Sequence, residues 1–291
     1  MTPRPFPLVA FFSLLLGGVA IGFAGILMRL SDVNPLASAF WRMALAVPIL
    51  WVWAFIVQAQ DRSSGKRIGI SKVLLFAGIC FASDLGIWHL SLYFTTIANA
   101  TLLSNFAPVF IALWMWGVYH TRFERIFIIG MVIALVGATM LVGPNAAIGG
   151  DKPLGDGLGL STAVFYAAYQ LAVKDARRQY STARLMAWST TITAFALLPF
   201  ALIMHGAFWP NTITGWLPLL GLAVIAQIGG QTVIAYALAH LPASLSSISL
   251  LIQPLTATIA AWIIFHEVIS PIQMLGGLLI ISGIYLSKRG S

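Results

Sequence analysis

The sequence predicts an all-α membrane protein whose ten transmembrane helices form two inverted five-helix repeats. Three observations predict this fold class: an apolar composition, long runs without charged residues, and landmarks that recur halfway along the chain. Of the 291 residues, 59% are hydrophobic and 8% are charged, and the mean hydropathy is +0.93. A soluble domain carries about 25% charged residues. The composition therefore excludes a water-soluble globule, a disordered chain, a disulfide scaffold and a soluble nucleic-acid binder.

Runs without Asp, Glu, Lys or Arg predict where the chain crosses the membrane. One such run covers residues 185–266 and must fold into several spans, since a spanning helix needs about 20 residues. Continuous rather than alternating apolar runs disfavour a β-barrel. The first run is too long for the h-region of a signal peptide and is taken as the first helix. The predicted helices are residues 8–29, 36–57, 73–94, 98–119, 126–143, 157–174, 184–204, 217–239, 245–265 and 271–287.

The basic residues predict which ends of the helices face the cytoplasm. With the N-terminus inside, Arg29, Arg42 and Lys152 lie on the outer side and the other thirteen Lys and Arg lie on the inner side. Such a bias is the positive-inside pattern of a plasma-membrane protein, and one missed helix would destroy it. We therefore attribute the net charge of +8 to loops at the inner membrane surface rather than to a surface that binds nucleic acid. The inner residues are Arg4, Arg62, Lys66, Arg67, Lys72, Arg122, Arg125, Lys174, Arg177, Arg178, Arg184, Lys288 and Arg289.

A shift of 146 residues superposes landmarks of the two halves. Pro108 falls on Pro254, Trp116 on Trp262, Gly130 on Gly276 and Gly137 on Gly283. Five helices in each half force the second copy to be inverted, which is the build of many secondary transporters. Glycines seven apart also suit close helix packing, so packing alone could explain that part of the match. The predicted repeats are residues 1–145 and 155–291.

A local motif resembles a known family. The run DLGIWH from Asp84 to His89 is followed by TIANATLLSNFAPVF from Thr96 to Phe110. Together with the ten helices, this resembles the drug/metabolite transporter superfamily of the EamA type, and within it the YddG-type exporters of aromatic amino acids. The resemblance implies the fold, a transport activity and the export direction. The first helix contains no acid that would match the glutamate of the four-helix multidrug relatives, so the resemblance does not by itself imply their proton-coupling scheme.

The third helix carries candidate substrate-binding residues. Asp84 is the only acid deep in a predicted span, and intramembrane acids are functional by default. It could contact a substrate amine, carry a proton, or be tied to neighbouring helices. Trp88 shares its face, whereas His89 with Tyr93 lies on another face, where His89 could bind a ligand or simply be a neutral residue bonded between helices.

Two prolines predict breaks near the membrane midplane. Pro108 leaves the carbonyl of Ser104 without its helical partner, and Pro254 does the same in the inverted copy. Symmetric breaks indicate a binding site, although a kink needed only for packing is an alternative. Ser104 and Asn105 lie beside the first break, and Gln253 lies beside the second.

Other polar side chains in apolar helices complete the predicted site. Such groups need partners, which either a substrate or another helix can provide. Arg42 is placed at the outer mouth, where snorkelling or pairing with Asp32 is favoured over contact with a substrate carboxylate. The remaining candidates for the substrate site are Tyr166, Tyr169, Gln170, Gln227 and Gln231.

These features predict a secondary transporter of the bacterial inner membrane that exports amino acids, aromatic ones first, by alternating access around a central cavity. The ATP-binding pattern G-x4-GK-[ST] is absent from the sequence, so a gradient would drive transport. No cofactor or metal is expected, and an intramembrane enzyme is disfavoured because the chain has a single Cys and scattered His. The expected partners are a small-molecule substrate and the lipid bilayer. The alternatives are a broad drug or nucleoside exporter and a ligand-binding receptor without flux.

Overall fold

The computed structural model describes residues 6–60, 70–143 and 153–290. Within these ranges the chain forms ten helical units and no strand, as the sequence predicts. Arg4, Arg62, Lys66 and Arg67 of the predicted inner set, and Lys152 of the outer set, lie outside the described residues. The units are α1 (Leu8–Leu30), α2 (Pro35–Gln60), α3 (Lys72–Ser91), α4 (Ile97–Ser104 and Ala107–Tyr119), α5 (Arg125–Val142), α6 (Pro153–Ala176), α7 (Thr182–Ile203), α8 (Trp216–Leu238), α9 (Ala243–Ser249 and Ile252–Phe265) and α10 (Pro271–Arg289).

Nine of these ten helices in the described ranges are long and apolar enough to cross a membrane. The tenth, α6, has 24 residues and is long enough, but Gly, Ser, Thr, Tyr and Gln lower its mean hydropathy. Its polar residues Thr162, Tyr169 and Gln170 are buried against other helices rather than exposed to lipid. The chain is therefore a multi-pass membrane protein, and the buried polar side chains of α6 face the protein interior.

The helix α3 ends earlier than the sequence predicts, at Ser91 rather than at residue 94. The chain turns after this residue, and the side chain of Thr96 accepts a hydrogen bond from the backbone N–H of Asn99. A side-chain cap of this kind satisfies an otherwise free N–H and starts a new helix. Tyr93 consequently lies in the turn instead of on the face of α3.

The helices that contain Pro108 and Pro254, α4 and α9, share the same interruption. The first segment of α4 ends at Ser104 and the next begins at Ala107, with Pro108 as its second residue. In α9 the segments end and begin at Ser249 and Ile252, two residues before Pro254. Both helices then end at a histidine in the left-handed conformation, His120 with φ 50° and His266 with φ 56°.

The helix α8 contains a π-helical segment over Leu222–Gln231. π-Helical segments are rare in proteins, but those that occur are often found at functional sites, because they displace side chains relative to an α-helix. Both glutamines of this segment, Gln227 and Gln231, are buried. The segment thus places two amides inside the helix bundle.

The helices around the centre form two groups: α1, α8 and α9 make up the first, and α3, α4 and α6 make up the second. From the first half of the chain, α1 packs against α8 and α9; from the second half, α6 packs against α3 and α4. The pair α2 and α7 and the pair α5 and α10 also join the halves. Each half therefore contributes one helix to the group formed mainly by the other.

Four glycines set the close crossing of α5 and α10. A Cβ added to Gly130 would lie 2.7 Å from the carbonyl oxygen of Gly283, and one added to Gly137 would lie 2.6 Å from that of Gly276. The reverse approaches are equally tight, 2.5 Å from Gly283 to the carbonyl oxygen of Gly130 and 2.7 Å from Gly276 to that of Gly137. Small residues let helix backbones approach this closely in a membrane.

Candidate functional site

A central cavity of about 470 Å³ lies between the two helix groups. This volume is within the range of sites for small organic ligands. The cavity reaches the protein surface at the α9–α10 loop, where Val268 is 90% exposed. In α1 the first residue that lines the cavity is Ile21, and in α9 it is Gln253. The N-terminal turns of these two helices therefore do not line the cavity. We call the end at Val268 the open side and the opposite end the closed side.

An ion pair lies at the rim of the open side. The guanidinium of Arg29 at the end of α1 contacts the carboxylate of Glu267 after α9. The Arg29 guanidinium also lies 4.3 Å from the centre of the Phe265 ring. Both charged side chains are about half exposed, 53% and 47%, so the pair joins α1 to α9 without closing the cavity.

The closed side is sealed by small and apolar residues at the contact of α4, α6 and α9. Ala243 of α9 and Ala163 of α6 are fully buried there against Ile111 of α4. Nearby, the ammonium of Lys174 in α6 donates to the backbone carbonyl oxygens of Leu241 at 2.5 Å and Leu238 at 3.4 Å. Lys174 therefore joins α6 to the end of α8, across the boundary between the two helix groups.

The helix α3 lines one wall of the cavity with Asp84, Trp88 and His89. Asp84 is 8% exposed, and no described residue hydrogen-bonds to its carboxylate. His89 lies with Nδ1 2.7 Å from the carbonyl oxygen of Leu85 in its own helix. Because a carbonyl oxygen only accepts, Nδ1 carries the proton in this contact, and the bond is not the interhelical one considered from the sequence.

Arg42 lies deeper than the sequence analysis expects, and the snorkelling interpretation is wrong. Its side chain is 6% exposed and lines the cavity, with the guanidinium 6.0 Å from the centre of the Phe81 ring. Asp32, the expected partner, instead accepts a hydrogen bond from the backbone N–H of Asn211. The open cavity provides a polar environment at this depth, so Arg42 does not need to extend to the membrane surface.

Side chains beside the two helix breaks also line the cavity. Ser104 and Asn105 come from α4, and the Asn105 amide nitrogen is buried without a hydrogen-bond partner among the described residues. Gln253 of α9 donates from Nε2 to the hydroxyl of Tyr166 in α6, at 3.2 Å. This bond links the two helix groups within the site.

The structure brings most, but not all, of the predicted site residues to the cavity. Asp84, Trp88, His89, Ser104, Asn105, Tyr166, Gln231, Gln253, Pro254 and Arg42 line it. Other candidates are absent from the lining: Tyr93, Tyr169, Gln170, Gln227 and Pro108.

Three of the residues outside the lining have identifiable contacts. Tyr93 is 41% exposed, and its hydroxyl lies 3.5 Å from the carbonyl oxygen of His205. Tyr169 stacks on Phe81, with ring centres 4.4 Å apart. Gln227 donates from Nε2 to the hydroxyl of Thr190 in α7 at 2.9 Å, which places it in the contact between α7 and α8.

Sequence reasoning missed the pairing of Arg29 with Glu267 and the contacts of Lys174. Both residues of the rim pair were visible as charges near helix ends, but 238 positions separate them in the chain.

Among the described residues there is no group of three or more His, Cys, Asp and Glu that could hold a metal ion. The residues that line the cavity offer hydrogen-bonding, aromatic and oppositely charged groups.

Comparison with known proteins identifies a family. The model of the EamA-like transporter family matches residues 8–143 and 153–289. An uncharacterized transporter of Archaeoglobus fulgidus is 26% identical, covering 91% of each chain. The pseudopaline exporter CntI of Pseudomonas aeruginosa is 22% identical over 83% of this chain and 82% of its own. A probable terminal-alkyne amino-acid exporter of Streptantibioticus cattleyicolor is 28% identical over 77% and 76%.

A solved crystal structure shares the fold. It covers 97% of this chain and 97% of its own, with a TM-score of 0.78 and 17% sequence identity. This likeness supports the helix arrangement described above. The family and the relatives named here are transporters or exporters, which places the chain among transporters rather than enzymes.

Proposed function

The chain belongs to the EamA-like transporter family, and from this premise we propose that it is a secondary transporter of the bacterial inner membrane that exports small metabolites. Its substrates are amino acids, aromatic ones first, and it works by alternating access. The observation that carries this proposal is the one-sided cavity: polar and aromatic at its base, open at one end and sealed at the other by buried residues. A carrier held in one of two access states has this geometry.

Alternating access is supported by features that recur at the 146-residue spacing. The glycines Gly130 and Gly137 pack crosswise against Gly283 and Gly276, as a two-fold axis in the membrane plane requires. The left-handed His120 and His266 also stand 146 positions apart. We take residues 1–145 and 155–291 as inverted repeats, so that rocking one helix group against the other would exchange the open and closed sides.

The amino-acid assignment is supported by the chemistry of the lining and by the relatives. Trp88, Tyr166 and Phe81 provide aromatic surface beside the polar groups. One relative is named as a probable amino-acid exporter. Aromatic side chains pair favourably with other aromatic rings, which ranks aromatic amino acids before small ones.

The orientation rests on the basic residues. Nine of the described ones lie at helix ends or loops on the closed side, which the positive-inside pattern assigns to the cytoplasm. They are Lys72, Arg122, Arg125, Lys174, Arg177, Arg178, Arg184, Lys288 and Arg289. The structure is then the outward-open state, with both termini cytoplasmic.

The proposal is tested by flux in proteoliposomes. Labelled tryptophan, phenylalanine and threonine are followed with and without an imposed pH gradient, against empty liposomes. We expect protein-dependent movement of all three, fastest for the aromatic amino acids, and an effect of the gradient only if protons are coupled to transport. If folded protein in both orientations moves none of them but moves cationic drugs or nucleosides, the substrate assignment is wrong. Saturable binding with no flux of any solute would instead indicate a receptor.

A further inference from the structure

Two opposite charges lie buried in the same cavity. Arg42 of α2 and Asp84 of α3 are 6% and 8% exposed, and both line the cavity rather than face lipid. Charged groups at such depth in a membrane protein are expensive and usually mark a substrate or ion pathway. Apart from the exposed pair of Arg29 and Glu267 at the rim, they are the charged groups that line the cavity among the described residues.

The two charges do not form a direct ion pair. No nitrogen of Arg42 lies within 4.0 Å of a carboxylate oxygen of Asp84, because the described residues show no ion pair between these two side chains. The Nε of Arg42 is buried without a hydrogen-bond partner, and the carboxylate of Asp84 accepts no hydrogen bond from a described residue. Each group therefore retains its capacity to bind a ligand of opposite charge.

The arrangement selects against ligands that carry a single charge. A cationic ligand would pair with Asp84 and leave Arg42 uncompensated, whereas an anionic ligand would leave Asp84 uncompensated. A ligand with one carboxylate and one ammonium group satisfies both. The guanidinium also offers parallel N–H groups that match the geometry of a carboxylate.

We propose that Arg42 and Asp84 form a binding site for zwitterions, in which Arg42 holds the carboxylate and Asp84 holds the ammonium group of an amino acid. The rest of the substrate then lies against Trp88 and Tyr166, which line the same cavity. The inference rests on the proposed function and deepens it: charge complementarity at the base of the cavity defines the substrate class, and the aromatic wall selects among its members.

The first test compares three substrates with the wild-type protein in proteoliposomes. Phenylalanine carries both charged groups, phenethylamine lacks the carboxylate, and 3-phenylpropionate lacks the ammonium group. We expect saturable phenylalanine flux at least about tenfold above the flux of either analogue, corrected for their leak through empty liposomes, because each analogue loses one charged hydrogen-bonding partner. Equal saturable flux of phenylalanine and phenethylamine would overturn the zwitterion site while leaving the proposed transport intact.

The second test removes one charge at a time. Arg42→Gln should lower phenylalanine flux at least about tenfold and raise phenethylamine flux, because phenethylamine has no carboxylate to lose and no longer leaves Arg42 uncompensated. Asp84→Asn should lower phenylalanine flux to a similar extent and raise 3-phenylpropionate flux, because this anion no longer leaves Asp84 uncompensated. The matched controls are Arg178→Gln and Asp175→Asn, an exposed pair at 3.8 Å outside the cavity, whose loss should leave all three fluxes unaltered.

The fold of the variants is checked by thermal unfolding, and Arg42→Lys serves if Arg42→Gln does not fold. Lysine keeps the charge but loses the paired N–H groups, so phenylalanine should remain the preferred substrate with a reduced rate. A folded Arg42→Gln or Asp84→Asn variant that lowers all three fluxes equally would contradict the site. Absence of flux of every amino acid and analogue in the wild-type protein would instead refute the proposed function itself.

Discussion

Gly25→Trp is expected to stop transport without unfolding the protein. Gly25 lines the cavity in α1, and a Cβ added there would meet no atom within 4 Å. The indole would therefore project into the space that the substrate occupies, in a cavity of only about 470 Å³. We expect amino-acid flux to fall by at least about tenfold, to near the level of empty liposomes, with an unfolding temperature within a few degrees of the wild type.

The control for this substitution is Gly117→Trp. Gly117 in α4 also has nothing within 4 Å of an added Cβ, but it is exposed and outside the cavity lining. Its variant should transport normally, and Gly25→Ala should do so too because a methyl group leaves most of the cavity free. A folded Gly25→Trp variant with wild-type flux would show that the substrate does not pass through this cavity.

Lys174→Met is expected to shift the protein toward the state that opens on the closed side. The Lys174 ammonium donates to the carbonyl oxygens of Leu238 and Leu241, and these contacts cross the boundary between the two helix groups. Methionine keeps a long unbranched side chain but removes the donors. Hydrogen bonds from a charged group contribute about 1.5–3 kcal/mol, so the population should move by roughly 10-fold to 100-fold.

The shift is measured with a cysteine at Ser249, in a background where the buried Cys80 is replaced by Ala. Ser249 is fully buried in the segment of α9 on the closed side, and its hydroxyl has no hydrogen-bond partner among the described residues. Ser249→Cys should react with a thiol reagent faster when Lys174→Met is also present. Arg122→Gln removes an exposed charge from the loop before α5, and it should leave labelling unchanged. Unchanged labelling in the Lys174→Met protein would contradict a closing role for Lys174.

Much of the fold could be predicted from the sequence because its determinants are local. Length, apolar content and the absence of charge define a spanning helix without reference to its neighbours. The loss of an N–H at proline is also local, and the structure interrupts α4 and α9 just before Pro108 and Pro254, whereas α2 and α7 continue through their internal prolines. The end of α3 was predicted too late, because apolar residues continue past Ser91 and only the cap at Thr96 marks the new helix.

The site was less predictable because it depends on which helices become neighbours. Tyr166 and Tyr169 are three positions apart and share a helix face, yet Tyr166 lines the cavity while Tyr169 stacks on Phe81. Helical spacing cannot distinguish these two environments. The depth of Arg42 also depends on neighbouring helices, because α3 and α9 help to build the cavity that it lines. The partners of Lys174 could not be predicted either, because they are more than 60 positions away in the chain.

Counterflow in proteoliposomes tests the central claim, transport by alternating access, most directly. Vesicles are loaded with unlabelled phenylalanine and diluted into a trace of labelled phenylalanine, and internal label is followed over time. A carrier whose single cavity faces each side in turn exchanges inner for outer substrate, so we predict a transient accumulation of label above its equilibrium level. Protein-dependent uptake that rises to equilibrium with no such overshoot, and no acceleration by internal phenylalanine, would indicate a channel and contradict the account.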